Sequence, residues 1–177
     1  MNTPDFPKLL LKTVFSFMTC DGHISPHEMA LIKNMNDEKK LFGDLDLDKE
    51  LDDLVALINR RGVDFLEDYF KKIDHADLTE EQDMQILEAA IHTITADDEV
   101  KAEEISFLKI LRTVLKSPDQ KILDRFPQIA GEFINKDELT ELYMKELYSN
   151  YFKQQKLPEF DISEVTDVTD SIDLGLK

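Results

Sequence analysis

The sequence predicts an all-α protein: a single compact domain of seven to eight helices with two pseudo-symmetric helical hairpins. Three observations lead there. Apolar residues recur at helical spacing, and strict alternation is nearly absent. Helix-start and helix-stop residues fall between the periodic stretches. One stretch of the chain also repeats itself 76 residues later.

The first predicted helix carries Leu10, Val14, Phe17 and Met18 on one face. "SPHE" at Ser25 to Glu28 reads as a capping box opening the next helix, with Ser25 as N-cap, Pro26 at N1 and Glu28 at N3. Leu47 to Arg61 is helical in pattern, and Gly62 follows it as a stop. Val63 to Asp74 continues as a separate helix. "TEEQ" at Thr79 to Gln82 is a second capping box, and Ile86, Ala90 and Ile94 share a face beyond it. Glu103 to Leu115 follows. "SPDQ" at Ser117 starts another helix, which "RFPQIAG" at Arg125 to Gly131 interrupts, and Asp137 to Gln154 is the last. Residues 1–156 form the helical domain, and residues 157–177 an acidic C-terminal tail with six acids and one base. The tail reads either as a frayed terminus or, from its regularly spaced apolar residues, as a segment that docks on its own domain or a partner.

Composition bounds the function. The formal charge is −17 over 177 residues. Such a surface repels phosphate, which disfavours nucleic acid and anionic membranes as partners. It favours cations and basic protein surfaces. A single cysteine, Cys20, excludes an intramolecular disulfide. No signal peptide and no membrane span are expected from the apolar runs, so a cytoplasmic protein with no direct membrane insertion is anticipated.

The repeat organises the chain. "LLKTVFSFMTCDGHISPHEMALIKNM" from Leu10 falls on "ILEAAIHTITADDEVKAEEISFLKIL" from Ile86. Apolar residues mostly meet apolar residues, Asp21 meets Asp97, Ile24 meets Val100 and Glu28 meets Glu104. Each copy reads as a helical hairpin with a short acidic turn. Two copies packed about a pseudo-twofold axis would bury both apolar stripes in one core.

The first turn, "TCDGHISPHEMA", tests as half of a calcium loop. With Asp21 at loop position 5, Gly22 takes position 6 and Glu28 position 12. Position 1 then falls on Phe17, which has no side-chain oxygen, and in the second copy on Thr93. Both copies lack the strongest first-half carboxylates, with Thr19 and Thr95 at position 3, so neither turn is an EF-hand. Two readings stay open. In one, Asp21 shapes the turn and Glu28 serves the capping box and helix dipole. In the other, the turns lie side by side and Asp21, Glu28, Asp97 and Glu104 converge. Carboxylates that close repel one another, and a divalent cation relieves the repulsion. Oxygen-only ligands favour calcium, magnesium or manganese.

The pair "CDGHISPHEMALI" and "ADDEVKAEEISFL" resembles the tellurite-resistance TerB-like family. The resemblance covers roughly Leu9 to Leu115 and rests on Asp-Gly-x-Ile-x-x-x-Glu in the first turn. The second turn departs from it, with Asp98 where Gly is usual and Lys101 at the capping position. The resemblance implies an all-α fold of two related halves and a cation site at Asp21, Glu28, Asp97 and Glu104. It implies a role in metal (tellurite) or stress resistance.

Other chemistry is sparse. His23 and His27 straddle the predicted helix start, do not form a one-face metal pair and read as surface residues; His75 falls in a connector and His92 reads as a half-exposed helix residue. Cys20 matches Ala96 and reads as a small packed residue. No phosphate loop, nucleophile elbow or zinc cysteine pair is present in the sequence. The expectation is a non-enzymatic protein that binds a divalent cation. The alternative is a protein-protein interaction module, acting through its acidic surface or tail without bound metal.

Overall fold

The computed structural model describes residues 5–22, 30, 32–34, 36–37, 42–43, 45–95, 100–127, 140–154 and 157. Seven complete helices lie among them: α1 Phe6–Thr19, α2 Leu47–Arg61, α3 Val63–His75, α4 Glu80–Ile94, α5 Ala102–Val114, α6 Asp119–Arg125 and α7 Glu141–Gln154. Residues 30, 32–34 and 36–37 are also helical. No strand occurs among the described residues. The all-α expectation holds. The tail beyond Leu157 lies outside the described residues.

α1 is the centre. Leu9, Leu10, Leu11, Val14, Phe15, Phe17 and Met18 are each at most 2% exposed. A helix this apolar must be covered on every side. α4 makes the most extensive packing against it among the described elements, and α3 also packs on it. α5 bridges α3, α4 and α7. Aromatic rings knit the layers: Phe17 meets Phe107 edge-on at 4.7 Å, and Phe15 meets Phe65 at 5.7 Å. Thr13 in α1 shares a 2.7 Å hydrogen bond with the buried Tyr69 hydroxyl in α3, while donating to the Leu9 carbonyl.

The repeat is visible in atomic detail. Thr19 Oγ1 donates to the carbonyls of Phe15 and Ser16 at 3.0 and 3.3 Å. Thr95 Oγ1, 76 residues on, donates to those of Ile91 and His92 at 2.7 and 3.5 Å. These are matching positions of the two copies. The first helix of each hairpin therefore ends in the same way.

Local signals read as expected at most helix ends. Thr79 and Gln82 make a full capping box, each side chain bonded to the other's backbone N–H. Gly62 ends α2 at φ 61°, a backbone that disfavours any Cβ, and its N–H closes on Ile58 at 2.7 Å. Two starts differ from expectation. α7 begins at Glu141 rather than Asp137, because the Thr140 hydroxyl accepts from the Tyr143 N–H and acts as the cap. α6 begins at Asp119 with Pro118 as N-cap. Ser117 does not cap it, because its hydroxyl is diverted to Asp83 and its carbonyl to Arg112.

That diversion belongs to a buried polar lock. Asp83, at the start of α4, accepts from the Lys116 N–H at 3.0 Å and the Ser117 hydroxyl at 3.3 Å. Arg112 is 1% exposed. It donates to the carbonyls of Leu115 and Ser117 and pairs with Asp119. The lock joins the end of α5, the start of α6 and the start of α4. Salt bridges from Lys121 to Glu80 and from Arg125 to Glu81 and Glu88 extend the seam outside.

The inner and outer seams differ in worth. Arg112→Ala is expected to cost on the order of 3 kcal/mol in urea unfolding, since it strands buried partners. Arg125→Ala, at the exposed seam, is expected to cost no more than about 1 kcal/mol. Equal losses in the two variants would show that burial of Arg112 does not set its weight.

Candidate functional site

The first acidic turn begins where α1 ends. Gly22 adopts φ 80°, and its N–H bonds the Thr19 carbonyl at 2.9 Å. A residue with a side chain would strain there, which accounts for the Asp-Gly pair. Cys20 is fully buried and its thiol donates to the Phe17 carbonyl, as its packing role predicts. Asp21 follows directly. The C-terminal end of a helix carries partial negative charge, so a carboxylate there needs compensation.

Lys101 supplies it from the other turn. Lys101 Nζ lies 2.7 Å from Asp21 Oδ2, across 80 positions of sequence. The Asp21 side chain is 8% exposed and that of Lys101 is 40% exposed. Lys101 is also the N-cap residue of α5. Its backbone N–H donates to Glu104 Oε1 at 2.9 Å, the reciprocal half of a capping box. The forward half is missing, because an ammonium group has no lone pair to accept from the helix. Glu104 is 6% exposed and sits in the first turn of α5, where the helix dipole favours a negative charge.

Asp21 and Glu104, two of the four expected carboxylates, come from opposite turns and bond different ends of Lys101, the first its ammonium and the second its backbone N–H. Glu28 and Asp97 lie outside the described residues, as do Ile24, Ser25, Pro26, Asp98, His23 and His27. Among the described residues, no group of three or more His, Cys, Asp or Glu side chains is placed to hold a metal ion. The donor chemistry of Asp21 and Glu104 suits a hard cation, and the lysine ammonium already lies on Asp21. His75 is exposed, with Nδ1 2.7 Å from the Lys71 carbonyl, and His92 is exposed on α4.

α7 forms a third wall. Tyr151 Oη donates to the Cys20 carbonyl at 2.6 Å, across 131 positions. This bond brings a donor from α7 to the carbonyl just past the end of α1. Burial pushes the Tyr151 hydroxyl far up from its ordinary pKa, with Cys20, Asp21 and Glu103 adding to the shift. Tyr148 is pushed up to about 12, by burial first and then by the Glu67 carboxylate that its hydroxyl meets. Lys109 meets Tyr143 near one end of the α5–α7 contact and Glu103 lies near Tyr151 at the other, so the two helices run antiparallel.

Sequence reasoning placed Lys101 at the capping position but missed its contact with Asp21, and it missed Tyr151. The 76-residue register held a signal for the first, since it sets a lysine on the capping serine Ser25. Tyr151 lies beyond the repeat, and no local pattern ties it to the turn.

The chain matches no protein-family model, no curated protein and no solved structure. No helix among the described residues is long and apolar enough to cross a membrane.

The buried Tyr151 and half-buried Tyr148 make alkaline stability a readout of α7 docking. Their folded pKa values lie above that of an unfolded tyrosine, about 10. Between those values the unfolded chain has released a proton that the folded one keeps. Stability therefore falls as pH rises above about 10. Tyr151→Phe and Tyr148→Phe should each flatten that fall, read as the slope of unfolding free energy against pH from 9.5 to about 11.5. An unchanged slope in both would mean that these hydroxyls titrate alike in the folded and unfolded chain.

Proposed function

We propose that this chain is a non-enzymatic binding module whose paired acidic turns receive a divalent cation, as an accessory factor in metal (tellurite) or stress resistance. One observation supports the reading: Lys101, at the start of the second turn's helix, sets its ammonium on Asp21 of the first turn while its backbone N–H bonds Glu104. The Asp21–Lys101 contact supports a side-by-side placing of the two turns, which a shared cation would require. The carboxylates are oxygen donors in a partly desolvated setting, where their attraction for a cation exceeds its strength in water. The repeat places Glu28 and Asp97 at the matching positions of the same two turns. The resemblance of both turns to the TerB-like family supports the same assignment and points to the resistance role. Calcium, magnesium and manganese are the cations that suit such donors. The charge of −17 draws cations to the surface and keeps nucleic acid away.

Calorimetric titration with each of the three ions tests it. The wild-type chain should show saturable binding, with dissociation constants in the range of about 10⁻⁴ to 10⁻³ M. The double variant Asp21→Asn, Asp97→Asn should lose it. Identical isotherms for the two proteins would rule out the turns as the site.

A second reading, a protein-protein interaction module without bound metal, is favoured by the outer face of α7. Leu142 is 74% exposed there, beside the half-exposed Tyr143 that Lys109 holds in place. Under this reading, Leu142→Glu abolishes a partner that co-purifies with the wild-type chain and leaves cation binding untouched. A partner retained by that variant would remove α7 from the interaction.

A further inference from the structure

We propose that Lys12, Lys72 and Arg61 form an anion site where α1 meets α3 and the end of α2, and that its ligand is a compact dianion of the phosphate class. The site is separate from the acidic turns and does not depend on their binding a cation.

Three observations lead to it. First, a cationic group is left unanswered in partly dry surroundings. Lys12 is half-buried on α1, with Nζ 5.1 Å from the centre of the Phe65 ring. Phe65 is 1% exposed, so on that side the ammonium has an aromatic face in place of water. Lys12 makes no hydrogen bond and no ion pair among the described residues. Burial lowers its pKa, and the charges of Lys72 and Arg61 lower it further, against the opposing pull of Asp68. An anion at this point would relieve all three penalties.

Second, the neighbouring bases do have carboxylates. Lys8, one turn earlier on α1, is bridged to Glu50 at 3.6 Å, Lys71 to Glu67 at 3.2 Å and Arg61 to Asp68 at 2.6 Å. Lys72, one turn beyond Asp68 on the same face of α3, has no such bridge among the described residues. In a chain with 38 acids against 21 bases, two neighbouring lysines without a carboxylate stand out. Lys12, Lys72 and Arg61 against Asp68 leave a local excess of two positive charges. That excess is close to the charge a phosphate group carries at neutral pH, about −1.5 to −2.

Third, Ser16 lies one turn after Lys12 on the same face of α1. It is 0% exposed, and its hydroxyl has no hydrogen-bond partner. Thr13 and Thr19, on the same helix, return their hydroxyls to its carbonyls, and Ser16 does not. Helical side chains lean towards the preceding turn, so this hydroxyl leans towards Lys12. An oxyanion accepts from an ammonium and from a hydroxyl alike. The molecule as a whole, at −17, repels anions at long range. A patch this limited offsets that repulsion for a small ion only, since nucleic acid or an anionic membrane would meet the surrounding acids as well.

The experiment is titration of the full chain with inorganic phosphate at fixed ionic strength, read by calorimetry and by the rise in melting temperature, with chloride as the control ion. A parallel arm with glycerol phosphate separates the two sources of the group: tighter binding there assigns the ligand to phosphate esters, and tighter binding of inorganic phosphate assigns it to the free ion. Lys12→Met and Lys72→Met should each weaken phosphate about tenfold or more. Methionine keeps an apolar stem over Phe65, and melting in chloride checks that the variants fold. Lys12→Arg keeps the charge and should stay within about twofold of wild type. Ser16→Ala should weaken binding about fivefold. Lys71→Met removes the same charge one residue away, where Glu67 already answers it, and should stay within about twofold. Equal effects of phosphate and chloride on wild type overturn the site. Equal phosphate affinity in wild type, Lys12→Met and Lys72→Met overturns it too. A loss in Lys71→Met as large as theirs would reduce the effect to net charge and overturn it likewise.

Discussion

The burial of α1 is the constraint from which the rest of the structure follows. A surface helix shows one apolar stripe; α1 shows apolar residues on nearly every side. Each large side chain buried there contributes roughly 1.5–3 kcal/mol, so leaving any face open is costly. α4 and α3 pack directly against it, and α5 closes over them with Phe107 reaching Phe17. The helix also carries three polar residues inside, Thr13, Ser16 and Thr19. Thr13 and Thr19 return their hydroxyls to the helix's own carbonyls, which keeps them compatible with the core.

A helix so enclosed has its C-terminal end enclosed as well. Its last carbonyls and the carboxylate of Asp21 lie together at one point. That point needs donors and positive charge. The Tyr151 hydroxyl from α7 serves the Cys20 carbonyl, and the Lys101 ammonium from the second turn serves Asp21. One helix terminus thereby takes a contact from α7 and another from the start of α5. Function, on the reading favoured above, uses the same negative potential that the fold must in any case neutralise.

Much of this was legible in the sequence. α2 has the bounds that its periodicity and Gly62 indicate. The Thr79 capping box forms in full, and Cys20 is buried as its match to Ala96 suggests. The repeat predicted matching ends for the first helix of each copy, and the Thr19 and Thr95 hydrogen bonds show that match. Ser117 shows where local reasoning stops. Its sequence context is that of an N-cap, yet a buried Asp83 from α4, 34 positions away, takes its hydroxyl instead. α7 likewise starts later than its pattern suggested, since Thr140 captures the first free N–H groups.

By itself the sequence determined the helices, their stops and the matching ends of the two repeat copies at Thr19 and Thr95. Those features depend on bonds between residues three or four positions apart, and on periodicities that any short window displays. The tertiary structure alone decided what faces the acidic turns. Lys101 reaches Asp21 over 80 positions and Tyr151 reaches Cys20 over 131. Contacts that distant depend on how helix faces pack in three dimensions, and no local pattern encodes them. The carboxylates were therefore visible as candidates, while the lysine that holds one of them emerged only when the two turns were brought together.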